Sequence, residues 1–399
     1  MKNKSLKPGW NWVNFGDVVR QCKDKIDPDN SGLERYVAGD HMDTDDFRLR
    51  RWGEIGSGYL GPAFHIHFKP GQVLYGSRRT YLRKVAVADF EGVCANTTFV
   101  MESSNSNDLM PELLPFLMQT EAFCAYSIQN SKGSVTPYIN FSDLAKFEFA
   151  LPPISEQSRL VKLLGSVEKS LVSYMDAECS VKLLESSLLE DALVAMSSSP
   201  HFPVEQLILN GPRNGLSPKT NADKRGYPTL SIGAVRNGEI ITEGYTKYAE
   251  ISKAEAAAFE LKTNDVLVVR GNGNKSLTGK CGLVETVPKG CFFPDLLIRL
   301  QFDETKIRPE FAVLQWNSLT MHNLLIARAK TTNGIWKING ADIRKHILKV
   351  PRLSEQDSFL DEMRAIRIAR KNITTRLKSL NKLKFHALRA IESGGKDGI

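Results

Sequence analysis

Two stretches of this chain carry apolar residues at helical spacing over unusual lengths. In the first, Leu160, Leu164, Val167, Leu171 and Tyr174 recur every three or four positions, and Val181, Leu184 and Leu188 extend the stripe. No proline interrupts residues 154–199, and Pro200 ends the pattern. In the second, Phe359, Met363 and Ile366 lead into Ile373, Leu377, Leu380 and Leu383, then Leu388 and Ile391, before Gly394-Gly395. One apolar stripe on an otherwise polar segment predicts an amphipathic helix. Each spans about 40 residues, or roughly 60 Å at the α-helical rise. Ser155-Glu156-Gln157 and Ser354-Glu355-Gln356 stand where the helices should begin. A serine oxygen accepts from a free first-turn N–H, and a glutamate suits the positive helix end.

The two starts belong to a longer repeat. LPPISEQ (151–157) and VPRLSEQ (350–356) match 199 residues apart, and Asn140 and Asn339 keep that offset. KGSVTPYINFSDLAKFEFALPP (132–153) parallels TNGIWKINGADIRKHILKVPR (332–352), with Gly133 and Gly334 in corresponding loops. Further upstream FKPGQVLYG (68–76) resembles LKTNDVLVVRG (261–271). A period of half the chain means duplication at domain scale rather than a solenoid. Each copy reads as mixed α and β. Strand patterns cover 63–68, 85–90, 98–102 and 147–151 in the first copy, and 229–235, 265–269, 283–286 and 296–302 in the second. Helical patterns cover 109–127 and 309–329, with Pro115 predicting a kink or a later start. The expected class is α+β: two duplicated mixed globular domains at 1–154 and 200–353, separated by long helices at 155–199 and 354–399.

A one-striped helix of this length needs a partner for its stripe. The other copy's helix is the economical one, through Leu160, Leu164, Val167 and Leu171 on one side and Met363, Ile366, Ile373, Leu377 and Leu380 on the other. Residues 155–195 hold seven acidic and four basic side chains, and 355–393 hold five acidic and nine basic. Opposite charge favours this pairing over self-pairing. The short path of the chain predicts an antiparallel coiled coil with one globular domain at each end.

Of the 399 residues 42% are hydrophobic, enough for real cores, and the formal charge of +8 is compatible with an anionic partner without demanding one. The six cysteines are scattered with no C-x-x-C pair, which predicts reduced thiols in a cytoplasmic protein. No run of 18 apolar residues and no leader-like N-terminal segment occur, so neither a membrane span nor a secretory signal is expected.

Catalytic constellations are hard to find. There is no phosphate-binding G-x-x-x-x-G-K-[ST] loop, no G-x-S-x-G elbow and no Asn/Asp-Pro-Pro-Tyr/Phe tetrapeptide of amino-methyltransferases. Gly271-Asn272-Gly273 lacks the third glycine of a dinucleotide loop. His65-x-His67 puts two imidazoles on one strand face but lacks a third metal ligand. Pro294-Asp295 has no Glu-x-Lys to complete a nuclease centre. No catalytic residue and no metal site is assigned. What the sequence does offer is basic loops between strands. Arg78, Arg79, Tyr81, Arg83 and Lys84 follow one strand, and Arg270, Asn272, Asn274, Lys275 and Lys280 follow the equivalent one. Arg pairs bidentately with guanine and Asn with adenine, while glycine thins the backbone for close approach. Lys219, Lys224 and Arg225, and Arg328, Lys330, Asn333 and Lys337, form a second rank. Each loop also has a plainer account as solvated surface, and the basic second helix as a solvated or paired face.

In this order of parts, and in the proline-rich strand exit Leu151-Pro152-Pro153-Ile154 running into Ser155-Glu156-Gln157, the chain resembles the specificity subunits of type I restriction-modification enzymes. The second copy departs with Arg352 where a second proline is usual. The resemblance implies two target recognition domains, each reading half of a split site in double-stranded DNA, and paired helices acting as spacer. It implies two methyltransferase subunits as partners, with restriction subunits joining for cleavage. Those methyltransferases would bring S-adenosylmethionine for adenine N6 methylation, and this chain would hold no cofactor. Three alternatives stay open: a specificity subunit of another defence methyltransferase, an enzyme with an atypical centre, and a coiled-coil adaptor that reads no DNA.

Overall fold

The computed structural model describes residues 6–332 and 334–394, and Asn333 and Gly395 lie outside the described residues. Helices and strands are mixed throughout. The chain divides into two compact units, Met1–Asp176 with Thr375–Ile399, and Ala177–Thr374. No helix among the described residues is long and apolar enough to cross a membrane.

In the first unit, Val19–Cys22, Thr98–Ser103, Val73–Gly76 and Val85–Val87 form an antiparallel sheet in that order. A second sheet orders Gly53–Glu54, Arg35–Val37, Gly92–Ala95 and Phe64–Phe68. Leu74, Val100 and Cys94 meet between them, and Val73, Tyr75 and Met101 face a larger core under Leu113, Leu117 and Phe123. In the second unit a six-stranded sheet is built around Val266–Val269, flanked by Leu297–Phe302 and Cys281–Leu283. Its two faces bury Val266, Val268 and Ile298 on one side and Leu267, Val269 and Leu297 on the other. Burial on both faces explains why Val73–Gly76 and Val266–Val269 read as continuous apolar runs rather than alternating ones.

The helical patterns at 109–127 and 309–329 each break in the middle. Leu114–Met118 gives way to Glu121–Gln129, and Pro309–Asn317 to Leu319–Ile326. Thr120 and Ser318 leave the helical backbone and cap the following helix, accepting from Phe123 and Met321 N–H at 3.3 Å. Side-chain caps at equivalent places overrode the apolar periodicity. Pro115 sits in the first turn of its helix, where its missing N–H is harmless.

The long helices run Ile154–Ala195 and Leu353–Glu392. Each starts one residue before the serine, so Ser155 and Ser354 are not the caps. Pro153 and Arg352 take that place, their carbonyls accepting from the N–H groups of Glu156 and Gln157 (2.9 and 3.0 Å) and of Glu355 and Gln356 (2.9 and 3.1 Å). Pro153 has no N–H to satisfy. Arg352 has one, and it donates to Glu355 at 2.9 Å. The missing second proline is thereby compensated.

Gln157 and Gln356 are fully buried. The Gln157 carboxamide accepts from Met110 N–H (2.8 Å) and donates to the Asp108 and Pro152 carbonyls (2.8 and 2.9 Å). Gln356 repeats this with Arg308 N–H (2.8 Å) and the Lys306 and Pro351 carbonyls (3.2 and 2.8 Å).

Along the stripes Leu160, Leu164, Val167, Leu171 and Met363 are buried, and Ile366, Ile373, Leu377 and Leu380 are half-buried. Leu184 and Leu383 turn out to be exposed, at 50% and 43%. A strict 3-4 spacing drifts against the 3.6-residue turn, which brings the next residue inward. Those residues are charged. Within the first unit Lys384 donates to Glu168 at 2.8 Å, and Leu160 and Leu164 share a core with Ala387, Leu388 and Ile391. Within the second, Glu185 pairs with Arg370 and, at 3.5 Å, with Arg367, while Glu178 accepts from Thr374 at 3.2 Å. Leu189 and Ala192 there join the core of Phe359, Leu360 and Met363.

Two stability measurements follow. Gln157→Leu strands one N–H and two carbonyls in a dry site, and should cost about 2–4 kcal/mol in urea unfolding; a loss below 0.5 kcal/mol would show that water replaces the amide. His346 is buried against Trp316 (4.7 Å between rings) with its Nε2 unpartnered among the described residues, and burial, then Arg328 and His322, push its pKa from 6.5 down to about 4. The folded state therefore resists the proton that the unfolded state takes up. Its stabilisation is complete above pH 6.5 and falls as pH drops toward 4, by up to about 3 kcal/mol. Urea unfolding of His346→Leu should lose most of that slope; an unchanged slope would place the acid sensitivity elsewhere.

Candidate nucleic-acid interface

In the first unit the buried strand Val73–Gly76 delivers the chain into Ser77-Arg78-Arg79, a short turn at Thr80–Leu82, and the return strand Val85–Val87. The glycine loop lies across it. Lys132 and Tyr138 exchange backbone hydrogen bonds at 2.7 and 2.9 Å, closing a hairpin around Gly133, whose φ of 89° suits only glycine well. The far side of that hairpin pairs with the basic loop: Ile139 N–H donates to Ser77 O (3.0 Å) and Arg79 N–H to Pro137 O (2.6 Å). Thr80 and Ser131 hydroxyls, 3.0 Å apart, tie the turn to the hairpin.

The second unit repeats the arrangement. Lys330–Thr332, Ile335–Lys337 and Gly271–Asn272 form a three-stranded sheet, with Gly334 at φ 74° in the hairpin loop. Ile338 N–H donates to Arg270 O at 2.9 Å, 199 residues on from the Ile139 bond. Backbone pairing sets Arg78 in the place of Gly271, each opposite Tyr138 or Lys337. Arg79, bonded to Pro137, corresponds to Asn272, paired with Trp336.

The side chains on these frames divide sharply. Arg78 and Arg79 are exposed, and neither guanidinium has a partner among the described residues. Tyr81 is half-exposed beside them. Arg83 is committed internally, donating to Asp45 (2.8 Å), Glu121 (2.6 Å) and the Gln119 carbonyl (2.9 Å). Burial opposes its charge, but Glu121 and Asp45 outweigh that and raise its pKa. The Lys84 ammonium is likewise spent on the Gly39 carbonyl. In the second unit, Lys337 and Lys275 are exposed, Lys275 lying 4.5 Å over the Trp336 ring. Asn274 accepts from Ser276 N–H (2.9 Å) and so caps its own turn. Asn272 accepts from Asn274 N–H (2.9 Å), leaving its NH₂ to donate. Arg270 leans on Asp295 (3.9 Å), which also accepts from Ser217. Lys280 is half-buried on the Asn317 carbonyl (2.9 Å), with burial lowering its pKa.

Asn272 and Lys280 both line a cavity of about 520 Å³ in this unit, shared with Arg236, Arg367 and Arg370. Lys219 and Arg225 are exposed in loops that flank the strands Thr220–Asn221 and Tyr227–Leu230 of a different sheet, so the structure does not join them to the hairpin at 330–337. Asn333 lies outside the described residues. Sequence reading passed over Lys132, Val135 and Tyr138 of the first hairpin; Val135 is 89% exposed at its tip. The glycine-loop repeat was the signal that could have found them. His65 faces Pro62 O (3.0 Å) and His67 faces Glu91 (2.7 Å), so the two imidazoles serve separate partners. No cluster of three or more potential metal ligands occurs among the described residues.

Each unit by itself presents exposed cationic side chains, and the second an amide, on a hydrogen-bonded hairpin frame, chemistry suited to phosphates and base edges. Arg83→Ala should destabilise by about 1–2 kcal/mol, since the ion pair is partly screened but the carbonyl loses its donor. Arg78→Ala should change stability by less than about 0.5 kcal/mol. Chemical denaturation of the two variants checks the division; equal losses would contradict it.

Comparison with known proteins places these observations. Residues 56–175 match the family model of the type I restriction modification DNA specificity domain. The chain is 27% identical over 270 residues to the EcoKI specificity subunit of Escherichia coli, covering 62% of this chain and 58% of that one. It is 26% identical over 182 residues to the EcoDI specificity subunit of the same species, covering 43% and 37%. The chain thus spans little more than half of the first of these relatives and less of the second. The crystal structure of a type I restriction-modification S subunit from M. genitalium superposes over 98% of each chain with a TM-score of 0.62 at 12% identity, a likeness of fold.

Proposed function

We propose that this chain, a member of the type I restriction-modification specificity family, is the non-catalytic DNA-reading subunit of its complex, one recognition domain per half of a split site. The observation that carries the reading is the repeated ladder: two hairpins, 199 residues apart, brace two basic loops at the same strand exit. Duplicated frames with different side chains suit a bipartite sequence better than a single ligand. Lys and Arg on the frames supply the salt-sensitive backbone attraction, and Arg and Asn supply base contacts.

The long helices act in this proposal as an antiparallel coiled coil. In each unit, contacts descend one helix as they climb the other: Leu160 and Leu164 with Leu388 and Ile391, then Glu168 with Lys384; Glu178 with Thr374, then Glu185 with Arg370. The pair serves as spacer between recognition domains at 1–154 and 200–353. It also carries two methyltransferase subunits, which bind S-adenosylmethionine and methylate adenine N6, and restriction subunits join for cleavage. The complex works in the cytoplasm.

Co-expression with the neighbouring methyltransferase gene and genome-wide mapping of methylated adenines tests the reading. A split motif dependent on this chain supports it; methylation independent of the chain, or a continuous motif, sinks it. Deleting one heptad from each long helix should shorten the unread gap while both half-sites keep their sequence. A gap that stays the same would remove the spacer role.

A further inference from the structure

Two residues of the first recognition loop hold left-handed backbone: Arg79 at φ 51°, ψ 54° and Arg83 at φ 50°, ψ 44°, on either side of the Thr80–Leu82 turn. A residue with a Cβ is disfavoured there, and glycine or asparagine is the usual occupant. For Arg83 the compensation is visible in its three internal partners. For Arg79 it is not. The backbone is pinned, N–H to Pro137 O at 2.6 Å and carbonyl to Leu82 N–H at 2.8 Å, while the exposed guanidinium has no partner among the described residues. The fold keeps a strained conformation and draws no side-chain contact from it. Such strain persists where something outside the fold uses the group it aims.

We propose that Arg79 is a base-reading residue and that the half-site read by the first unit therefore requires a guanine. The inference rests on the DNA-reading function proposed above and deepens it. The pinned backbone sets where the Arg79 side chain leaves the loop, and its guanidinium offers two parallel N–H donors, matching guanine O6 and N7 in the major groove and no other base pair as well. A phosphate would also accept those donors, but the phosphate backbone runs past every sequence alike and needs no strained anchor. The equivalent place in the second unit holds Asn272, whose oxygen accepts from Asn274 N–H at 2.9 Å. Its free NH₂ is a different reader, so the guanine requirement belongs to one half-site only.

Arg79→Gly is the decisive variant, because glycine accepts the left-handed backbone without strain. The full chain is expressed with its methyltransferase partners. Melting temperature, competition binding on duplexes randomised in one half-site, and the methylation motif are measured together. The expected result is a melting temperature unchanged or raised by about 1–3 °C, the other half-site intact, and discrimination for guanine at one position falling about 10-fold or more. Arg79→Lys keeps the charge but not the paired donors, and should lose discrimination as glycine does.

Several outcomes overturn the proposal. A uniform loss of affinity across all sequences, rescued by lysine, would make Arg79 a phosphate contact. An unchanged motif would make it a bystander. A lower melting temperature with an unchanged motif would make it structural. Wild-type protein that binds no duplex sequence-dependently would instead overturn the DNA-reading function, and this inference with it.

Discussion

A carboxamide sealed from water at the start of each long helix governs how the rest of the chain is assembled. Gln157 and Gln356 have no exposed surface, so every polar atom they carry needs a protein partner. Both obtain the same three: one backbone N–H and two carbonyls, drawn from the loop before Leu114–Met118 or Pro309–Asn317 and from the proline at the strand exit. That triangle fixes the helix start to its own globular head from two directions. A flexible attachment would let the head swivel, and three hydrogen bonds from two directions prevent it. The Ser-Glu-Gln repeat is therefore a mechanical joint, and its serine and glutamate are secondary to its glutamine.

The stripes beyond the joints show a second constraint. A purely apolar stripe over forty residues would slide, because leucine against leucine is nearly the same contact one turn further along. Glu168 with Lys384, and Glu185 with Arg367 and Arg370, occupy inward positions that leucine would otherwise fill. These pairs are partly buried, and breaking a desolvated pair costs more than forming it gains. A one-turn slip would separate these partners and leave each charge facing apolar neighbours. The pairs thus act on register more than on stability.

Much of this was legible in the sequence, for identifiable reasons. Self-similarity is visible at the joints because each buried glutamine serves the same three backbone partners, and helical spacing is visible because it needs only hydrophobicity. The breaks at Thr120 and Ser318 were not legible, since a hydroxyl inside an apolar run reads as a tolerated polar residue until the backbone leaves the helix. Leu184 and Leu383 were misplaced by spacing alone, because the competing inward residues are charged and count as outward in any hydrophobic pattern. Strands Val73–Gly76 and Val266–Val269 show the opposite case, buried on both faces and short, so alternation could not reveal the first of them.

The basic loops mark where sequence reading stops. Arg78, Arg79, Arg83 and Lys84 are one basic cluster on paper. In the fold, Arg83 and Lys84 stitch the loop to Asp45, Glu121 and Gly39, while Arg78 and Arg79 face outward. The division turns on backbone geometry that adjacent arginines do not announce. The braces that impose it, the hairpins at 132–138 and 330–337, carry equivalent backbone bonds in both copies although their side chains differ. Backbone pairing depends little on side-chain identity, so a frame of this kind can hold still while the residues it displays change. Duplication then yields two frames of one kind, each displaying its own set of exposed side chains.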